Sequence, residues 1–200
     1  MIKKKKPFIL LILIFFFYHG SVFAIDPEVF VQSTVNRASK ILTEEISKEQ
    51  KMKELQNIAK DTVDIRGIGF YTLGPIRKSL NDANKKKYIS LFEQYFLKSF
   101  SSRLAEYTNP EIDVFNKETL NNNYTIVNSI LKSTKDRPEI KIDWRIYTKD
   151  PEKPLIRDLI IEGLSLARTQ KEEFNSVLQS NDNDIEKLFT TLESFIKSDS

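Results

Sequence analysis

Asp61, Asp64, Asp158 and Glu162 are the carboxylates whose surroundings could support acid–base chemistry. Asp64 follows Val63 at the head of a glycine-containing segment, and Asp158 interrupts the apolar run from Leu155 to Ile161. A carboxyl group buried in such surroundings is harder to ionise and can serve as a general acid or base near neutral pH. The same positions also suit structural work. Asp64 can cap a helix, and Asp158 can face solvent or partner Arg145 or Arg157. No second titratable group stands at a spacing diagnostic of coupling to any of them. Nucleophilic and metal chemistry are excluded more firmly. The chain has no cysteine, and its single histidine, His19, lies in a segment read below as a removed signal. A Ser-His-Asp triad, a Cys-His pair and a thiolate- or histidine-ligated metal are therefore impossible in the mature protein. The reading is a protein without catalytic residues, metal or cofactor.

Gly67-x-Gly69 with Gly74 resembles a phosphate-cradling loop only superficially. No strand precedes it and no Lys-Ser or Lys-Thr follows it. Close packing of a short helix accounts for the glycines. Lys85 to Lys87 reads as the solvated first turn of a long helix, with Asp82 as its cap. Lys132, Lys135, Arg137 and Lys141 fit either an acidic partner or ordinary surface charge.

The elements that position these residues follow from apolar periodicity. Asp26-Pro27 opens a helix, with Asp at the N-cap and Pro at the first turn. Phe30, Val35, Ala38, Ile41, Leu42 and Ile46 roughly keep helical spacing, and a second stretch carries Met52, Leu55, Ile58 and Ala59. The longest helix is expected from about Asn84 to Tyr107, ended by Asn109-Pro110. Tyr88, Leu91, Phe92, Tyr95, Phe96, Ser99, Phe100 and Leu104 form an aromatic stripe along it. The period then falls to two. Strands are expected around Ile112 and Val114, from Tyr124 to Leu131, from Ile140 to Ile146 and from Leu155 to Ile161. Asn121 to Asn123, Asp136 to Pro138 and Asp150 to Glu152 are turn chemistry between them. Ser165 caps a helix carrying Ala167, Phe174, Val177 and Leu178. Asn181 to Asp184 starts the last, with Ile185, Leu188, Phe189, Leu192, Phe195 and Ile196 on one face.

Strands grouped between helices predict an α+β fold, a curved antiparallel sheet of about four strands covered by helices. Such a sheet can leave an apolar cavity between the layers. Its expected wall is Phe70, Leu73, Phe92, Tyr95, Phe96 and Phe100 from the helices, with Ile126, Ile142, Trp144 and Ile146 from the sheet. A filled core is the other reading of the same residues.

The first 24 residues carry an address. Lys3 to Lys6 precede an eleven-residue apolar run, Phe8 to Tyr18, and Val22-Phe23-Ala24 presents small residues for signal peptidase. A membrane span needs about 20 apolar residues, so this run fits a cleaved signal better. Residues 25–200 are then one domain. Removing Lys3 to Lys6 from the 31 basic residues leaves 27 against 28 acidic ones, a net charge of −1. Nothing in that balance points to nucleic acid.

Three stretches resemble the MlaC family of periplasmic phospholipid-binding proteins. They are Val63-Asp64 with Ile68, Phe70, Leu73 and Gly74; Lys87-Tyr88 through Phe92, Phe96, Arg103, Leu104 and Tyr107; and Asp158 to Leu166, which resembles the family's Asp-x-x-x-Glu-Gly-hydrophobic-Ser-Leu signature. Phe174 follows at the family's spacing. Leu155 stands near where the family commonly has Trp, and Ile76 where it commonly has an aromatic residue. The resemblance implies a phospholipid carrier without cofactor. It further implies an inner-membrane ABC transporter complex with an MCE-type protein and an outer-membrane lipoprotein complex as partners. A module for hopanoid or sterol-like lipid is an alternative, and an enzyme acting on an apolar substrate through Tyr or Asp is another.

The mature chain is expected to begin at Ile25. Intact-mass measurement of protein recovered from its native compartment checks this, and retention of residues 1–24 would contradict it.

Overall fold

The computed structural model describes residues 24–135 and 137–198. The signal assigned to residues 1–24 falls almost wholly outside that range, as does Asp136 of the expected turn.

Six α-helices and five strands follow in the order α1 (Pro27–Thr43), α2 (Lys48–Thr62), α3 (Ile65–Thr72), a 3-10 turn (Gly74–Lys78), α4 (Asp82–Leu104), β1 (Ile112–Asn121), β2 (Tyr124–Leu131), β3 (Ile140–Tyr147), β4 (Leu155–Ile161), β5 (Leu164–Ser165), α5 (Leu166–Gln179) and α6 (Ile185–Lys197). This is the expected α+β arrangement, with a fifth strand of two residues, too short to leave a period in the sequence.

Each long helix starts where a side chain can satisfy its free backbone N–H groups. Asp26 accepts from the Glu28 N–H at 2.9 Å. Ser47 and Gln50 form a reciprocal capping box. Ser165 accepts from the Arg168 N–H at 3.1 Å, and Asp184 from that of Glu186 at 3.0 Å. At α4 the cap is Asn81, which accepts from the Asn84 N–H at 2.8 Å. Asp82, expected as the cap, is the first helical residue, where its charge meets the positive helix end. The helix ends at Leu104, before Asn109-Pro110.

The sheet is an antiparallel meander in sequence order. Its β2–β3 register pairs Thr125 with Ile146, Val127 with Trp144 and Ser129 with Ile142, so these six share one face. That face is buried beneath helices, while Ile126 and Arg145, also paired, share the other. Between β3 and β4 the register slips. Arg145 pairs with Asp158 but Ile146 pairs with Ile156, leaving Arg157 as an extra residue in a β-bulge. The bulge lets Arg157 and Asp158 both serve the Arg145 side of the sheet, while Ile156 stays in the core.

Helix α1 packs on β1 and β2, and α3 and α5 pack on β4. Helix α4 lies against α2, α3 and α6. The α3–α4 crossing is close because Gly69 has no side chain: a Cβ there would stand 2.8 Å from a ring carbon of Phe92. The α2–α4 contact uses Ser101, fully buried and accepting a hydrogen bond from Gln56 at 3.1 Å.

Gly69→Ala is therefore expected to overpack the α3–α4 contact and cost about 1–3 kcal/mol. Urea unfolding measures this, and an unchanged midpoint would show that the crossing is not tight.

Candidate functional site

The four carboxylates singled out by sequence perform structural tasks. Asp64 caps α3 by accepting from the Gly67 N–H at 2.8 Å, and it pairs with the Arg157 Nε. Its own N–H donates to the Ile156 carbonyl at 3.0 Å, beside a parallel bridge between Val63 and Ile156. These bonds pin the start of α3 to β4. Gly67 makes room for the pair, since a Cβ would lie 2.6 Å from the Arg157 Cζ. Asp158 does not face solvent: its side chain is 2% exposed. It accepts from the Ser165 hydroxyl at 2.6 Å, the Ala167 N–H at 3.0 Å and Arg145 Nη1 at 3.4 Å. It thereby ties β4 to the beginning of α5. Glu162, in a left-handed backbone conformation, accepts from the Lys141 N–H across the strand end. Asp61 pairs with Arg37 at 2.8 Å on the surface.

The buried phenols are equally occupied. Tyr88 shares a 2.8 Å hydrogen bond with Thr72, and burial raises its pKa far above the usual tyrosine range. Tyr95 donates to Gln170 at 2.8 Å; burial and then the Glu173 charge push its pKa up. Both stay protonated and are unsuited to act as bases at neutral pH.

The ten expected cavity-wall residues separate into groups. Ile142, Trp144 and Ile146 lie on the helix-facing side of the sheet, at 9%, 9% and 0% exposure. Trp144 has its polar edge satisfied, donating from Nε1 to Ser129 Oγ at 2.8 Å. Phe92, Tyr95, Phe96 and Phe100 belong to helix–helix packing. Phe92 and Tyr95 meet Phe174 of α5 with ring centroids 6.2 and 5.7 Å apart, and Tyr95 meets Phe195 of α6 at 4.8 Å. Phe96 and Phe100 stack at 5.6 Å. Leu73 is buried, and Phe70 is half-buried beneath the Arg66 guanidinium. Ile126 has Arg145 as its register partner, which places it on the face opposite Trp144. Tyr124, Ile126 and Ile130 are as apolar as Val127 and Leu131 on the other side, so alternation within β2 could not select the inner face.

The two described concavities lie outside the interface between these layers. One is a charged surface cleft beside Asp61, Asp64 and Glu93. The second, of about 350 Å³, opens where α3 and the start of α5 meet the sheet. Its lining mixes the apolar Ile68, Tyr71, Leu120 and Ala167 with the polar Tyr124, Arg145, Arg157 and Asp158. None of the ten expected residues lines either concavity. Two residues lining the second, Ile68 and Ala167, also belong to the buried core. Sequence reasoning missed this mouth. Gly67, Arg145, Arg157 and Asp158 are each named from the sequence, but nothing local brings them together.

The build is a helix-covered curved sheet with a half-polar mouth at its edge, and its four singled-out carboxylates hold scaffold contacts. Residues 32–194 match the family model described as MlaC protein, so the chain belongs to the MlaC family. A phospholipid-binding protein from Ralstonia solanacearum, solved in complex with a phospholipid, shares the fold. Its TM-score is 0.73 at 15% identity, over 86% of this chain and 97% of that one. No curated protein matches the sequence significantly.

Asp158→Ala should lower stability by about 2–4 kcal/mol, because it strips charge-assisted bonds from a buried site. Asp61→Ala should stay within about 0.5 kcal/mol, as expected for an exposed pair. Parallel urea titrations test both. Equal effects would refute the scaffold role assigned to Asp158.

Proposed function

We propose that this protein is a periplasmic phospholipid carrier, passing lipid between an inner-membrane ABC transporter complex with an MCE-type protein and an outer-membrane lipoprotein complex. The observation that carries this reading is that Ile68 and Ala167 line the mouth and also belong to the buried core, in a chain of the MlaC family. The fold match to a protein holding a phospholipid supports it.

The physical requirement is simple. Each methylene withdrawn from water gains about 0.8 kcal/mol, so two ordinary acyl chains crossing water unprotected would cost on the order of 20 kcal/mol. A carrier answers this with a dry interior and needs no reacting group. The helix-facing sheet surface offers such an interior: its aliphatic side chains and Trp144 accompany few polar groups, and Ser129 is satisfied by Trp144 and the Ile142 carbonyl. Contacts of this kind select by polarity and not by direction, which suits cargo that must be released. Tails enter between the anchored ends of α3 and α5, and the headgroup stays at the half-polar mouth.

Organic extraction of the purified mature protein, followed by mass spectrometry, is expected to yield phospholipid. A polycyclic lipid would redirect the assignment to hopanoid or sterol-like cargo, and an empty protein that turns over an apolar substrate would overturn it. Because Trp144 is the only tryptophan, phospholipids with brominated acyl chains should quench its emission, whereas a water-soluble headgroup fragment should not. Unquenched emission from lipid-loaded protein would place the tails away from this face.

A further inference from the structure

The mouth contains two arginines with different commitments. Arg157 is engaged on three sides: its Nε pairs with Asp64, its Nη1 donates to the Tyr124 hydroxyl at 3.3 Å, and its guanidinium lies over the Tyr147 ring at 4.5 Å. Arg145 is barely engaged. Among the described residues its guanidinium makes one hydrogen bond, the 3.4 Å contact with Asp158. A guanidinium carries five N–H donors in a planar fork. Arg145 lines the concavity, and its side chain is 39% exposed.

Asp158 does not use up this cation. Its two oxygens already receive the Ser165 hydroxyl and the Ala167 N–H at shorter range than Arg145. The positive end of α5 also faces that carboxylate. The Arg145 charge is therefore left to answer an anion entering from the mouth.

The lining also carries apolar side chains. Tyr71 and Leu120 are half-exposed lips at 44% and 46%, and buried Ile68 lies below them. At about 350 Å³ the space lies at the lower end of small-molecule pockets, the size of a headgroup with its first methylenes. A planar fork in a lining that also carries apolar side chains suits a tetrahedral anion esterified to an apolar body.

We infer that Arg145 binds the phosphoryl group of the carried amphiphile and so determines a preference for phospholipids over neutral glycerolipids with the same chains. The inference rests on the carrier reading and deepens it: the interior takes the tails, and Arg145 reads the phosphodiester. Free phosphate offers the same chemistry to a guanidinium, and only the apolar part of the lining distinguishes the two sources.

The test compares delipidated mature protein with its Arg145→Gln and Arg145→Lys variants. Native mass spectrometry follows binding of dioleoylphosphatidylglycerol and of dioleoylglycerol, each in mixed micelles, and of inorganic phosphate alone, and Trp144 quenching by brominated-chain analogues of the two lipids follows their tails. Wild type should favour the phospholipid by about tenfold or more, the scale of one charge-assisted hydrogen bond. Arg145→Gln should shrink that preference to about twofold, with the loss falling on the phospholipid. Arg145→Lys, which keeps the charge but loses the fork, should fall between and remains informative if the glutamine variant does not fold. Wild-type preference retained in folded variants would overturn the inference while leaving the carrier intact. Failure of wild type to bind either lipid would overturn the carrier reading itself. Tight binding of inorganic phosphate without lipid, abolished in Arg145→Gln, would show a free-anion site and overturn the lipid assignment.

Discussion

The β-bulge in β4 is the constraint on which the rest of the arrangement depends. A regular strand would send Arg157 and Asp158 to opposite faces. The extra residue lets both serve the side of Arg145, and each then holds a different helix. Arg157 reaches the capping carboxylate of α3, and Asp158 gathers the Ser165 hydroxyl and the Ala167 N–H at the start of α5. Two neighbouring residues of opposite charge thus fix two helices against one strand, and the concavity lies between those helices. Gly67 belongs to the same device, because any side chain there would displace the Arg157 guanidinium.

This arrangement separates rigid anchoring from adaptable packing. The polar contacts concentrate at the ends of α3 and α5, whereas the interior behind them is held by aliphatic and aromatic packing with few directional bonds. Breaking a buried charged contact leaves an unpaired group and is costly. Apolar side chains exchange one set of neighbours for another at lower cost, provided the volume stays filled. A lipid tail is such a replacement neighbour. The anchored helix ends keep the mouth in place, and the interior behind them relies on few directional bonds.

The aromatic stripe of α4 serves this scheme indirectly. Tyr88, Phe92 and Tyr95 join Phe174 and Phe195 to bind α4, α5 and α6 into one helical layer. Lys98 completes it by donating to the Phe195 and Ile196 carbonyls at the end of α6, both at 3.0 Å. Such capping of a helix C-terminus by a cation answers carbonyls without intrahelical partners. The helical layer is cohesive in itself, so its relation to the sheet rests on the α1, α3 and α5 contacts.

The sequence by itself determined what local geometry controls. The period-two runs located the four long strands, and in β3 they also chose the buried side, because Ile142, Trp144 and Ile146 alternate with Lys141, Asp143 and Arg145. Asp26, Ser165 and Asp184 announced their helices because a capping side chain must sit next to the N–H groups it satisfies. The signature from Asp158 to Leu166 disclosed the family. Tertiary structure decided the remainder. In β2 both faces are apolar, so only pairing of Val127 with Trp144 could turn Ile126 outward. On α4 an aromatic stripe announces burial but not its neighbour, and the neighbours came from α5 and α6, far along the chain. The bulge left no local mark, because it exists only as a mismatch between β3 and β4. Periodicity and capping are properties of adjacent residues on one backbone, whereas face selection, helix partners and the mouth at Arg145 are set by pairing between segments that meet only when the chain has folded.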